Sequence, residues 1–252
     1  MKFTIGHVFG FCFSTIGGAI GPLLAVTAIS YIAWPVICGL PLLLLALLPM
    51  GQDTSLDLLG IPLLILVYLG GFFHWCAVTE IALLKAAGKP IRMGRILRNG
   101  FFNLFPVLCI AVLWYLGFLA GLTLLFIPGI IFSLAFQVVV PAYIAETRGV
   151  FAAFKRSRDL TRGHRWGLLG LDLLVNISVY VAFAIVAALG GLSTLLEKGY
   201  VSPASSMFFI ILAYVALPLL FIALPVMNAS IYVALRGEKG ELPATSVAAV
   251  FE

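Results

Sequence analysis

Charge is what this chain has least of. Only 10% of its 252 residues are Asp, Glu, Lys or Arg, against about 25% in ordinary soluble domains. A soluble surface cannot be built from so little charge when 63% of the residues are apolar. The solvent for most of the chain is therefore expected to be lipid, with no room for a sizeable soluble domain. Catalytic signatures are missing as well. There is no Gly-x-Ser-x-Gly, no His-Glu-x-x-His, no P-loop and no glycine-rich dinucleotide loop after a strand. The chain is expected to be no enzyme and to carry no cofactor.

Metal-binding patterns are equally scarce. Cys12, Cys38, Cys76 and Cys109 show no Cys-x-x-Cys spacing and lie among apolar neighbours, so they read as small buried hydrophobes. His74 and Glu80 have no second ligand at helical spacing, and no metal is expected. Lys2 begins what resembles a secretory signal. The apolar stretch runs on to Met50, beyond an ordinary signal core, so an uncleaved terminus is expected.

What is present is a series of long apolar runs. A short interfacial helix is expected at 2–14, broken from the first span by Gly17, Gly18, Gly21 and Pro22. Spans follow at about 22–49, 60–84, 104–126, 129–146, 167–190 and 207–235, with an acidic loop at 51–58, a tight turn at Pro128-Gly129 and a disordered tail at 236–252. Placing both ends in the cytoplasm puts fourteen of the fifteen Lys and Arg residues on that side, leaving only Lys198 opposite. That is the positive-inside pattern. The expected fold is an all-α integral membrane protein: one polytopic domain, 1–235, with six transmembrane helices and an amphipathic interfacial helix before each hairpin.

The few charges are clustered. The segment ETRGVFAAFKRSRDLTRGHRW, 146–166, holds six of the fifteen basic residues. Helical spacing puts Val150, Phe154, Ser157 and Thr161 on one side and Lys155, Arg156, Asp159 and Arg162 on the other. In IRMGRILRNG, 91–100, Arg92, Arg95 and Arg98 share a face opposite Met93, Ile96, Leu97 and Phe101. Both read as amphipathic helices with cations towards lipid headgroups. Phe151 and Phe154 are expected to enter the membrane, so anionic lipid is the expected partner and nucleic acid is not. A membrane protein partner or a second copy of the chain is also compatible.

Residues 127–171 carry a resemblance. Pro128-Gly129 between two spans, Pro141 about a dozen residues on, Glu146 at the helix end, then Arg156-Ser157, Leu160 and Gly163 form a recurring grammar. It resembles the membrane domain attached to some bacterial glycerophosphodiester phosphodiesterases, and the YciC-like inner-membrane proteins. The resemblance implies a multi-helix module of the bacterial inner membrane. It implies no phosphodiesterase activity, because that chemistry belongs to a separate soluble domain.

Three groups of polar residues are candidate sites. Glu146, at a helix end, is expected to pair with Arg148, Arg156 or Arg158 as a structural lock. Asp172 and Asn176 share a face of the fifth span, and an acid inside a span is either anchored at the interface or functional. With Glu80 and Asn228, and with His74 and Gln137 nearby, they would line one cytoplasm-facing cavity, as a small-solute or lipid transporter requires. Taken singly, each is a helix–helix hydrogen bond.

Overall fold

The computed structural model describes residues 4–33, Val36, Leu40, 55–146, 149–196 and 203–241. Among them there are only helices and turns. Helix α1 spans Ile5–Gly18 and buries Val8, Phe11, Cys12 and Thr15, one face at helical spacing. The chain bends by 74° at Ala19 before α2, Ile20–Ala28. Pro22 sits in the first turn of α2, where a missing N–H costs no intrahelical bond. A π-helical turn, Ile29–Ala33, continues α2. Two hydroxyls, one before it and one within it, compete for the helix carbonyls: Thr27 donates to Leu23 O and Ser30 to Val26 O, each at 2.8 Å. The remainder of the expected first span, to 49, lies outside the described residues apart from Val36 and Leu40.

Helices α3, Ser55–Ala86, and α4, Met93–Leu124, each run 32 residues, or about 48 Å at the α-helical rise. This corrects two expectations. The loop expected at 51–58 is helical from Ser55 onward. The basic segment 91–100 is no separate interfacial helix but the first turns of α4, because nothing between Arg92 and Phe105 stops a helix and Pro106 is accommodated inside it.

The connection to α5, Phe126–Ala135, is the single extended residue Leu125. The turn expected at Pro128-Gly129 therefore lies earlier, and Pro128 enters the first turn of α5 as Pro22 enters that of α2. Gly129 packs instead: a Cβ on Gly121 would lie 2.8 Å from its Cα, so only glycines let the two backbones meet. The expected fourth span is in two pieces, α5 and α6 (Val139–Glu146), separated by a turn over 136–138.

Helix α7, Val150–Thr161, folds back on α6, and Gly163 takes φ +95° to turn the chain into α8, Arg165–Leu196. Helix α9, Pro203–Glu238, closes the bundle against α1 and α3. It outlasts its expected end at 235, and its ordered end continues through Gly240 and Glu241, so the tail cannot begin at 236.

Among the described residues, four helical stretches are long and apolar enough to cross a membrane: Met93–Leu124, Phe126–Glu146, Arg165–Ala182 and Leu219–Glu238. Counting the bent α1–α2 pair as one span makes five. Among the described residues, the tightly packed core lies at one end of the bundle, where Val8, Leu23, Ile81, Ile96, Leu160, Leu168 and Tyr232 are buried together. Away from it, α4 and α8 expose large apolar side chains, including Tyr115, Leu116, Ile177 and Tyr180. That distribution suits helices whose outer surface is solvated by lipid. The packed end is also the basic end.

Candidate functional site at the basic end

Helix α7 is held by its polar face. Val139 N–H bonds to Phe136 O, so the turn at 136–138 withdraws the helical donor from the Ala135 carbonyl. Ser157 and Thr161, both fully buried, supply replacements, donating to Ala135 O at 3.0 and 3.2 Å. Leu160 enters the core between them. Of the expected face, Ser157 and Thr161 are buried and Val150 and Phe154 half-buried, with Ala153 and Leu160 added; it meets the bundle and not the membrane, since the Phe154 ring lies 5.2 Å from that of Phe136.

At the edge of that face lies the expected lock. Arg156 Nε donates to Glu146 Oε1 at 2.8 Å, and the Tyr232 hydroxyl donates to the same oxygen at 2.9 Å. Arg156 Nη1 donates to Glu241 Oε1 at 3.1 Å, and Nη2 bonds the other oxygen. Arg236 approaches both partners, with Nη1 3.4 Å from the Tyr232 hydroxyl and Nε 3.6 Å from Glu241 Oε2. Lys239 donates to the Asp159 carbonyl, and His164 Nε2 lies 3.5 Å from Glu238. The bond from Arg156 lowers the Glu241 pKa, and the bond to Glu241 raises that of Arg156.

This placement corrects two assignments. Arg156 is committed to Glu146 and Glu241, so it is not free to act as a lipid contact. Arg158 is exposed and forms no ion pair among the described residues, because it projects from the opposite side of α7. Arg148 lies outside the described residues.

Several other cations face outward. Arg92, Arg95 and Arg98 are exposed on α4, with Ile96 buried and Met93 and Leu97 half-buried behind them. Phe101, Phe102 and Phe105 follow, exposed by 60, 69 and 72%. Exposed Lys155 lies one helical turn after Phe151 on α7, and exposed Arg162, at the end of α7, precedes Trp166 at the start of α8; the two aromatics are 80 and 84% exposed.

The expected single cavity is divided. Asp172 Oδ1 accepts from Gln137 Nε2 at 2.5 Å, placing that pair at the 136–138 turn. Asn176 is exposed and donates to Asp172 O of its own helix. His74 is buried with its ring centroid 5.2 Å from that of Tyr31. None of these lines the groove that contains Glu80. Asn228 is also outside that groove. The separation follows from the helices: Glu80 lies on α3 facing α4, whereas Asp172 lies on α8, which packs chiefly on α5 and α9.

The groove around Glu80 has a volume of about 610 Å³ and runs between α3, α4, α6 and α9. Leu83, Phe102, Ile144 and Val233 give it apolar walls. Glu80 is 8% exposed, and its Oε1 accepts from Asn99 Nδ2 at 2.7 Å. Lys89, Asn103, Tyr232 and Arg236 complete the polar lining. Glu80 was evident in the sequence as an acid within a span. Asn99, Asn103 and Lys89 were not, because their meeting depends on how closely α4 approaches α3.

Compared with known proteins, the chain matches no family model, no curated sequence and no solved structure.

Proposed function

We propose that this chain is a six-span module of the bacterial inner membrane, with both ends in the cytoplasm, whose basic face engages anionic lipid headgroups. The observation that carries the reading is the exposure of Arg92, Arg95 and Arg98 next to exposed Phe101, Phe102 and Phe105. Cations followed at once by aromatics are what a helix presents where it passes through headgroups into hydrocarbon. Lys155 and Arg162 beside Phe151 and Trp166 repeat the arrangement on α7 and α8. The one-sided scatter of basic residues supports the orientation. The role is one of binding and not catalysis.

Native mass spectrometry of the protein released from mixed-lipid membranes tests this reading. Phosphatidylglycerol is expected to be retained over phosphatidylcholine, and the Arg92→Ala/Arg95→Ala/Arg98→Ala variant is expected to lose that enrichment. Equal retention in both proteins would sink it.

A second reading, transport of a small solute or lipid, is favoured by one observation: Asp172 is bonded to Gln137 where the fourth span is interrupted. Interrupted helices with polar side chains at the break are used as binding sites in transporters. If Asp172→Asn left uptake and export profiles unchanged, this reading would be abandoned.

A further inference from the structure

We propose that the groove between α3, α4, α6 and α9 is a headgroup site selective for an aminophospholipid, a zwitterion with a primary ammonium beside a phosphate. This goes beyond the binding of anionic lipid at the exposed arginines, and it uses different residues.

The argument begins with Glu80. Its Oε1 is taken by Asn99, and its Oε2 has no hydrogen bond among the described residues. A nearly buried carboxylate with an open oxygen needs a donor, and a cationic one best compensates its desolvation. No ion pair includes Glu80 among the described residues, and exposed Arg95 acts on its charge only from beyond contact distance. The cations of the groove are elsewhere in its lining. Lys89 is exposed beyond the end of α3 and has no ion pair among the described residues, and half-buried Arg236 is engaged on one side by Glu241.

One groove therefore contains a carboxylate and two cations, and a ligand that complements it carries both signs. The walls restrict the class further. Phe102 is exposed on the outer flank of α4 and also lines the groove, so an occupant passes from the polar lining to the lipid-facing surface without crossing water. An amphiphile fits that route, and a free zwitterion leaves the apolar wall unused. Three N–H donors distinguish a primary ammonium from a quaternary one, which offers none to Glu80 Oε2.

The test is competition between phosphatidylethanolamine and phosphatidylcholine for the protein in nanodiscs, read by native mass spectrometry. The expected preference for phosphatidylethanolamine is about tenfold. Glu80→Gln keeps the acceptor for Asn99 and is expected to bring the preference to parity. Lys89→Ala, at an exposed position, is expected to weaken retention of both lipids. The Arg92→Ala/Arg98→Ala variant, which leaves Arg95 near Glu80 in place, is expected to keep the preference while losing phosphatidylglycerol enrichment, which separates the two sites. Equal retention by the unaltered protein, or a preference that survives Glu80→Gln, overturns the proposal. So does retention unchanged by Lys89→Ala. Displacement of the lipid by equimolar free phosphoethanolamine overturns its assignment to a lipid.

Discussion

Ser157 donates its hydroxyl hydrogen to the carbonyl of Ala135 across 22 residues of sequence, at 3.0 Å. The acceptor is available because the fourth span is interrupted after Ala135, and the donor is buried because α7 lies against the interruption. One bond thereby ties the amphipathic helix to a defect in a span. Pairing Ser157 and Thr161 with the same carbonyl explains why α7 is docked on the bundle instead of resting on its surface.

Replacing both hydroxyls, as Ser157→Ala with Thr161→Val, leaves a buried carbonyl without a donor. The expected loss is about 1–3 kcal/mol, read as a lower midpoint of unfolding in detergent. Ser157→Ala alone is expected to lose less, because Thr161 keeps one bond. A double variant as stable as the unaltered protein would show that the tie carries no stability.

The α4–α5 hairpin predicts a contrast between glycines. Gly121→Val would drive a side chain into the backbone of Gly129, and the expected penalty is about 3 kcal/mol or more. Gly170 on α8 has open space where a Cβ would stand, with no neighbouring atom within 4 Å, so Gly170→Ala is expected to be neutral or slightly stabilising. Thermal midpoints of the two variants compare them directly.

Docking of the C-terminal end of α9 is expected to depend on pH. The Glu241 carboxyl is held below its ordinary value of 4.5 by its bond with Arg156. Its contribution is therefore complete above that ordinary value and disappears as pH falls through the lowered one. A spin label at Lys239→Cys should be immobile at neutral pH and gain mobility only in acid, below the ordinary carboxyl value of 4.5. Arg156→Gln should free it at neutral pH as well. A label whose mobility ignores both changes would contradict the latch.

Salt offers a separate check on the exposed arginines of α4. Each is worth about 1 kcal/mol beside an anionic surface. The triple alanine variant should therefore lower the preference for phosphatidylglycerol by up to roughly a hundredfold. Raising ionic strength should move the unaltered protein towards the same value. Preference insensitive to salt would point to a buried contact and away from these side chains.

Much of the arrangement was legible in the sequence, for identifiable reasons. Long apolar runs bounded by cations marked α4, α8 and α9, and helical spacing grouped Ser157 with Thr161 on one side of α7, although that side was expected to meet lipid and packs on the bundle instead. Glu146 and Arg156 are ten residues apart on adjoining helices, close enough to pair by inspection. The rest required tertiary structure. Tyr232 joins Glu146 from 86 residues away, and Glu241 comes from a segment whose polar composition reads as a loose tail. The continuity of α4 was hidden because a change from basic to apolar composition resembles a boundary, although the backbone has no reason to stop there. The supposed common cavity failed for a related reason: polar residues at similar depths were grouped without knowledge of which helices face one another.

Leu125 leaves almost no slack between α4 and α5, and the glycine contact beside it joins them at closest approach. Neither helix can therefore be withdrawn or tilted far without dragging the other. Any rearrangement of the bundle has to carry the two as one rigid hairpin.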